Sequence, residues 1–327
     1  MNIAFRVDAD SKIGIGHLKR CLSLATQIKK KIRVFFLIKK NSSNYHSLIK
    51  KKNFPYFLLN KSVQNSSETI SILRKKKISI LVIDHYKLKY DWEKKIKKNL
   101  KYLISIDDLN RHHFSDYLFA QSLDKKKITS SKICKTFSGK NFFILDEKYL
   151  NLKNKKIDEK NISFLINFGS SDIKNLTCIL LNFLLSHFPK NKINVVIEKK
   201  FSFLKELNQI KKKNKKIKIY KNLETLANIT HKSDVCFGAG GIHNVERTGI
   251  GKLSFVITTA KNQVANTKLL SEKKLIIHLG KYNNFNLKLI KPEIINKFYL
   301  KSHARKVKSF MDIYGVKRLG KILSNLT

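Results

Sequence analysis

Acidic residues are scarce in this sequence. Asp and Glu number 23 against 68 Lys and Arg in 327 residues, a formal net charge of +45. Such an excess first suggests a nucleic-acid or membrane-surface partner. The distribution argues otherwise, because the lysines fall in short runs, at 29–31, 50–52, 75–77, 125–127 and 211–213, mostly at the ends of apolar segments and in no single basic stripe. Cysteine is sparse too. Cys21, Cys134, Cys178 and Cys236 lie far apart with no C-x-x-C pair, which excludes a zinc-finger spacing and a disulfide framework. Cys21, Cys178 and Cys236 sit among apolar neighbours and read as small core side chains. No apolar run approaches bilayer-spanning length. The opening MNIAFRVD reads as a strand, without the basic and apolar regions of a signal peptide. A cytoplasmic protein without membrane insertion is expected. Proline (three) and glycine (twelve) are rare in a chain rich in Lys, Ile and Asn, the mark of a proteome-wide compositional drift.

What the chain does contain is alternation. Short β-branched and aromatic runs at 3–7, 32–38, 78–83 and 103–106 are separated by amphipathic segments near 17–29, 45–52, 68–77 and 90–98. In the first of these Leu18, Cys21, Leu22, Ala25 and Ile28 fall on one helical face. The pattern weakens between 124 and 161 and then resumes. Strands are expected at 162–168, 193–197, 217–220, 235–237, 253–257 and 275–279, helices near 176–187, 201–212 and 223–232 and from Gln263, and a helical region at 302–323. Such a series predicts two Rossmann-like, doubly wound α/β domains with a cleft between them. The N-terminal domain is expected at 1–150 and the C-terminal domain at 151–327, with its last helix able to pack back on the first. Ligands of open α/β sheets bind beyond the carboxyl ends of the strands, so the loops that follow strands are where site residues belong.

Seven of the twelve glycines fall in two such loops: Gly14 and Gly16, then Gly238, Gly240, Gly241, Gly249 and Gly251. Glycine lets backbone N–H groups approach a ligand, and a following helix offers its positive end to an anion such as a diphosphate. Tight strand-to-helix turns alone would also explain them. Neither loop is a Walker A sequence or a G-x-G-x-x-G, which disfavours nucleoside triphosphate hydrolysis and Rossmann redox chemistry. His17 follows the first loop at a helix start, where the helix dipole favours a neutral imidazole able to accept a proton from water. Asp84-His85-Tyr86 and Asp107-Asp108 end two further strands on the same edge, and the adjacent aspartates suit turn capping as well as chemistry. His112 and His113 have no partners at metal-ligand spacing, so neither a metal nor a cofactor is expected.

The blocks FRVDADSKIGIGHLKRCLSLA, VIDHY with Trp92-Glu93, SIDDLNRHHFSDYLFAQSL, NFGSSDIKNLT and GAGGIHNVERTGIG resemble, in order and spacing, the PseG family. Its members are UDP-2,4-diacetamido-2,4,6-trideoxy-β-L-altropyranose hydrolases of pseudaminic acid biosynthesis. The blocks are similar also to the related spore-coat protein SpsG. The resemblance implies a GT-B-like fold related to the MurG glycosyltransferase, and release of UDP with water in place of a sugar acceptor. On that resemblance His17 is the catalytic residue. The loop from Gly238 to Glu246, with Gly240, Gly241 and Ile242, binds the nucleotide; Glu246 meets the ribose, and Asn262 and Gln263 form a further substrate-side pair. Gly14, Gly16 and Tyr86 complete the expected substrate contacts. Val245 replaces the tryptophan common before the acidic residue, the proline usual after that helix is missing at 249–252, and 146–149 reads Asp-Glu-Lys-Tyr rather than a common Arg-Pro linker.

The expected partners are a UDP-sugar and other enzymes of the same pathway, with no nucleic acid. The expected chemistry is attack of water, activated by His17, with inversion at the anomeric carbon. A GT-B glycosyltransferase and a basic nucleic-acid-binding protein are the alternatives.

Overall fold

The computed structural model describes residues 1–9, 15–40, 45–123, 134–152, 157–169, 172, 174–199 and 201–326. Gly14 and, of the expected connecting stretch, residues 124–133 and 153–156 lie outside the described residues. The chain forms two compact units: Met1–Asp146 with Tyr314–Thr327, and Glu147–Ile313.

The first unit runs β1 (Asn2–Val7), α1 (Gly16–Ile28), β2 (Arg33–Lys39), α2 (His46–Lys51), β3 (Tyr56–Leu59), α3 (Ser67–Lys75), β4 (Ile78–Asp84), α4 (Tyr90–Lys97), β5 (Tyr102–Asp107), β6 (Tyr117–Ala120) and β7 (Lys135–Phe137). Its sheet has the order β3-β2-β1-β4-β5-β6-β7, with every described pair parallel. The central strands are apolar almost throughout, as strands covered on both faces must be. Arg6, the penultimate residue of β1, is one exception; it is buried and forks onto Asp8, whose carboxylate also accepts from His85 Nε2 at 3.0 Å and from the Lys39 N–H at 2.8 Å.

The second unit repeats the plan with β8 (Ser163–Asn167), α5 (Leu176–His187), β9 (Lys192–Ile197), α6 (Leu204–Lys213), β10 (Ile217–Lys221), α7 (Ala227–Lys232), β11 (Val235–Ala239), α8 (Ile242–Gly249), β12 (Leu253–Thr258), α9 (Val264–Glu272), β13 (Ile277–Lys281), β14 (Asn284–Phe285) and α10 (Lys297–Phe310). Its order is β10-β9-β8-β11-β12-β13-β14, parallel except for the short antiparallel pair β13–β14. Phe164, Phe237 and Phe255 meet across three neighbouring strands and anchor the core; Phe237 and Phe255 stack with rings 5.0 Å apart, and Phe164 meets Phe237 edge-on.

α11 (Gly315–Asn325) belongs to the first unit and packs on α1. Val316, Leu319 and Leu323 form its buried stripe. A Cβ on Gly320 would come within 2.7 Å of Gln27 Cβ, so glycine there lets the two helices touch.

The structure corrects two readings of the sequence. The region expected to be helical at 302–323 is two helices, because the chain turns extended at Met311 and Gly315 then docks on the Phe143 backbone, where a Cβ would lie 2.3 Å from the carbonyl oxygen. β3, β6 and β7 were absent from the expected strands. They have only three or four residues each and lie away from the sheet centre, too short for a period to show.

Candidate functional site

In each sheet the strand order reverses beside the first strand. β1 lies between β2 and β4, and β8 lies between β9 and β11, so the loops after β1 and β4, and after β8 and β11, leave on opposite faces. Such switch points are where open α/β sheets bind ligands. The unusual residues of the sequence collect at both.

At the first switch point His17, in the first turn of α1, is buried, and its Nδ1 lies 2.6 Å from Asp84 Oδ1 at the end of β4. Arg20, one turn further along α1, forks onto the same carboxylate through Nε and Nη2, each at 2.5 Å. Arg20 Nη1 reaches Asp108 at 3.3 Å, and Asp108 accepts from the Tyr86 hydroxyl at 2.8 Å. The Tyr86 ring in turn meets His17 edge-on, with centroids 4.5 Å apart, while the Arg111 guanidinium covers Tyr86 at 5.6 Å. Five side chains from α1, β4, β5 and their loops thus close one network around the imidazole.

That network selects a tautomer. Burial alone would raise the Asp84 carboxyl pKa, but Arg20 and His17 overcome it and hold the group well below the usual carboxylate range. An ionised Asp84 can only accept, so the 2.6 Å contact requires the proton on His17 Nδ1. The approach of Arg20 Nη2 to Nδ1 at 3.0 Å is then a close contact of two donors that share Asp84 Oδ1. In the neutral ring Nε2 carries the lone pair.

Behind the network, Asp107 caps the turn after β5 through the N–H groups of Leu109 and Arg111 and pairs with the Arg111 side chain at 2.7 Å. His113 is wedged between Glu93, at 2.7 Å, and Asp107, at 3.8 Å. Burial disfavours its charge, yet the two flanking carboxylates raise its pKa from 6.5 to about 9. Among the described residues no cluster of His, Cys, Asp and Glu is arranged to hold a metal ion.

At the second switch point β11 ends at Ala239, and Gly240 and Gly241 turn the chain into α8. Gly240 is required by crowding: a Cβ there would lie 2.4 Å from Thr267 Oγ1. Its N–H, expected to face a ligand, instead donates to Gln263 Oε1 at 3.1 Å, which also accepts from the Thr259 N–H at 2.9 Å. Gln263 therefore fastens the loop to the start of α9, while its neighbour Asn262 is exposed. Gly241 is the N-cap of α8, and Ile242 follows half-buried. Glu246, one turn on, is buried and lies 2.6 Å from His243 Nδ1. Gly251 has a structural role instead: its positive φ of 81° and its packing on Ala304 make the turn into β12. In the first unit Gly16 is exposed, and a Cβ there would meet nothing within 4 Å, so packing does not demand glycine.

Sequence reasoning missed Asp84, Arg20 and Asp108 as partners of His17. The i, i+3 spacing of His17 and Arg20 was a usable signal. The Asp84 contact was not, since it spans 67 positions and needs β4 beside β1.

Comparison with known proteins fits this geometry. The chain is 29% identical over 282 residues to the UDP-2,4-diacetamido-2,4,6-trideoxy-β-L-altropyranose hydrolase of Campylobacter jejuni, covering 84% of this chain and 97% of that one. The resemblance read from the motifs is borne out. The same sequence is 28% identical over 268 residues to an uncharacterized protein of Methanocaldococcus jannaschii, covering 77% of this chain but only 54% of that longer protein. No protein-family model matches. Among solved structures, MurG of Acinetobacter baumannii superposes with a TM-score of 0.70 at 12% identity and 99% coverage of both chains. This likeness agrees with the expected GT-B-like class of two Rossmann-like domains.

Proposed function

We propose that this protein is a UDP-sugar hydrolase, acting on UDP-2,4-diacetamido-2,4,6-trideoxy-β-L-altropyranose in the cytoplasm as a step of pseudaminic acid biosynthesis, alongside the other enzymes of that pathway. The observation that carries the reading is the Asp84–His17 pair, which leaves Nε2 as the proton acceptor, in a chain similar to such a hydrolase over nearly that protein's whole length.

Water donates its proton to His17 Nε2 as its oxygen bonds to the anomeric carbon. The bond from that carbon to the diphosphate oxygen breaks, its electron pair leaves with UDP, and the free sugar emerges with inverted configuration. Asp84 stabilises the imidazolium that forms, in the manner of a carboxylate behind a general base. Tyr86, pinned by Asp108 and packed edge-on against His17, sets the wall on which sugar and water are oriented. Glu246 accepts from the ribose hydroxyls, and the start of α8 at Gly241 and Ile242 receives the diphosphate. Gln263 acts by holding the loop.

Incubation with this UDP-sugar and no acceptor, in ¹⁸O-water and followed by NMR, tests the proposal. The expected result is UDP without label and a labelled sugar of the opposite anomeric configuration. UDP release that waits for a sugar or lipid acceptor would show a transferase instead. Label in UDP would place the attack on phosphorus and rule out His17 as the base for attack at carbon.

A further inference from the structure

Arg247 is among the largest fully buried side chains of the protein, with 2% exposure. It lies in α8, one residue after Glu246, and its guanidinium reaches back under the turn that joins β11 to α8. Nη2 donates to the Ala239 carbonyl at 3.0 Å, and Nη1 is pressed against Gly238, where a Cβ would come within 2.6 Å of it. Nε has no hydrogen-bond partner among the described residues.

What is missing around it is a bonded carboxylate; Glu246 is near enough to favour its charge but does not pair with it. Arg247 makes no ion pair among the described residues, and the neighbouring Glu246 carboxylate is turned to His243. The other buried arginines each have a carboxylate: Arg6 has Asp8, and Arg20 has Asp84 and Asp108. A buried cation without a counter-charge is costly, and arginine does not escape the cost by losing its proton. Other polar groups of the same turn are also unsatisfied. Asn244, fully buried in the first turn of α8, has no partner for either its oxygen or its nitrogen, and Thr267 Oγ1, against Gly240, has none. At the corresponding place in the first unit the polar side chains are paired with one another.

We infer that Arg247 is the fixed counter-charge of an anion site at the β11–α8 turn, and that the anion it serves is the diphosphate of a nucleotide. The inference rests on the functional reading above and deepens it by naming the group that recognises the charged part of UDP. Arg247 is a positioning and electrostatic residue, acting through the turn it supports. Gly238 makes room for it as well as for the neighbouring strand, because a Cβ there would meet the Asn167 carbonyl oxygen at 2.0 Å and Arg247 Nη1 at 2.6 Å. The attraction between a buried cation and a nearby anion falls weakly with salt, unlike that of the many surface lysines.

The test is a comparison of uridine, UMP and UDP binding by calorimetry to the full-length wild type, Arg247→Met and Arg247→Lys, each checked for folding by circular dichroism. In the wild type affinity should rise from uridine to UDP. Arg247→Met should reduce the UDP-to-uridine affinity ratio about tenfold or more while uridine affinity stays within about twofold, an attraction of the size expected for partly buried charges. Arg247→Lys should keep most of the ratio. A merely structural arginine would weaken all three ligands together or leave the ratio unchanged, and either result overturns the inference. Should Arg247→Met fail to fold, Arg247→Gln, which retains a donor for Ala239, supplies the same comparison. A wild type that binds no UDP would overturn the functional reading itself, which separates the two failures.

Discussion

The two sheets share one strand order, yet their switch points are built on opposite principles. Around His17 every charged group has a partner: Asp84 with Arg20, Arg20 with Asp108, and Asp108 also with the Tyr86 hydroxyl. Around the Gly240 turn a buried guanidinium, a buried amide and a hydroxyl lack such partners. A self-satisfied network holds a reacting group in one orientation before substrate arrives, which is what general-base chemistry needs. Unsatisfied donors favour binding, since a ligand that completes them gains the contacts that folding left unmade. On the proposed function, one place is arranged to react and the other to hold.

The sharpest way to break this contrast is to disarm the network. His17→Asn should lower kcat by about 10²–10⁴ while UDP binding survives; full activity would end its role as base. Asp84→Asn should cost a comparable factor, since an amide presents the wrong partner to Nδ1, and it should also destabilise the first unit by about 3 kcal/mol by leaving buried Arg20 only its longer contact to Asp108. Chemical denaturation and steady-state rates on one preparation would separate the two effects.

The same network logic predicts a pH dependence of stability. His113 has its folded pKa raised from 6.5 to about 9, so its contribution is fully present below about pH 6.5 and is lost as pH rises through about 9. Its size is on the order of 3 kcal/mol. His113→Gln should flatten urea-unfolding free energies across that window, and an unchanged slope would contradict the buried triad with Glu93 and Asp107.

On the binding side, Glu246→Ala should raise KM about tenfold with little change in kcat, the signature of lost uniform binding. An unchanged KM would remove the ribose contact. Smallest of all, Gly16→Ala should leave stability within about 0.5 kcal/mol, because a Cβ there meets no atom. A loss of activity in that variant without a loss of stability would show that substrate approaches the backbone at this point.

How far the sequence could be read follows from the range of each interaction. His17 was legible because strand, glycine turn and amphipathic helix are contiguous. Most of the long strands and helices were legible for the same reason, with boundaries off by a few residues. The short strands β3, β6 and β7 carry no period. Asp84 looked like any strand-terminal aspartate until β4 was placed beside β1. Nothing in the local sequence marked Arg247, whose burial depends on the close approach that Gly238 permits. The glycine cluster was read as one device and is two, with Gly240 and Gly241 at the candidate site and Gly251 making a turn against α10.

The position of α11 carries one more consequence. The first unit is closed by α11, so residues 147–313 are a compact unit spliced into another one. During synthesis the sheet carrying His17 emerges first, but α1 waits for its cover until the whole guest unit has been made. Domains generally fold as units while the chain lengthens, so the inserted unit is expected to mature earlier than its host. Since Phe143 and Gly315 touch backbone to side-chain position, a short bridge in place of the guest would let the host close directly.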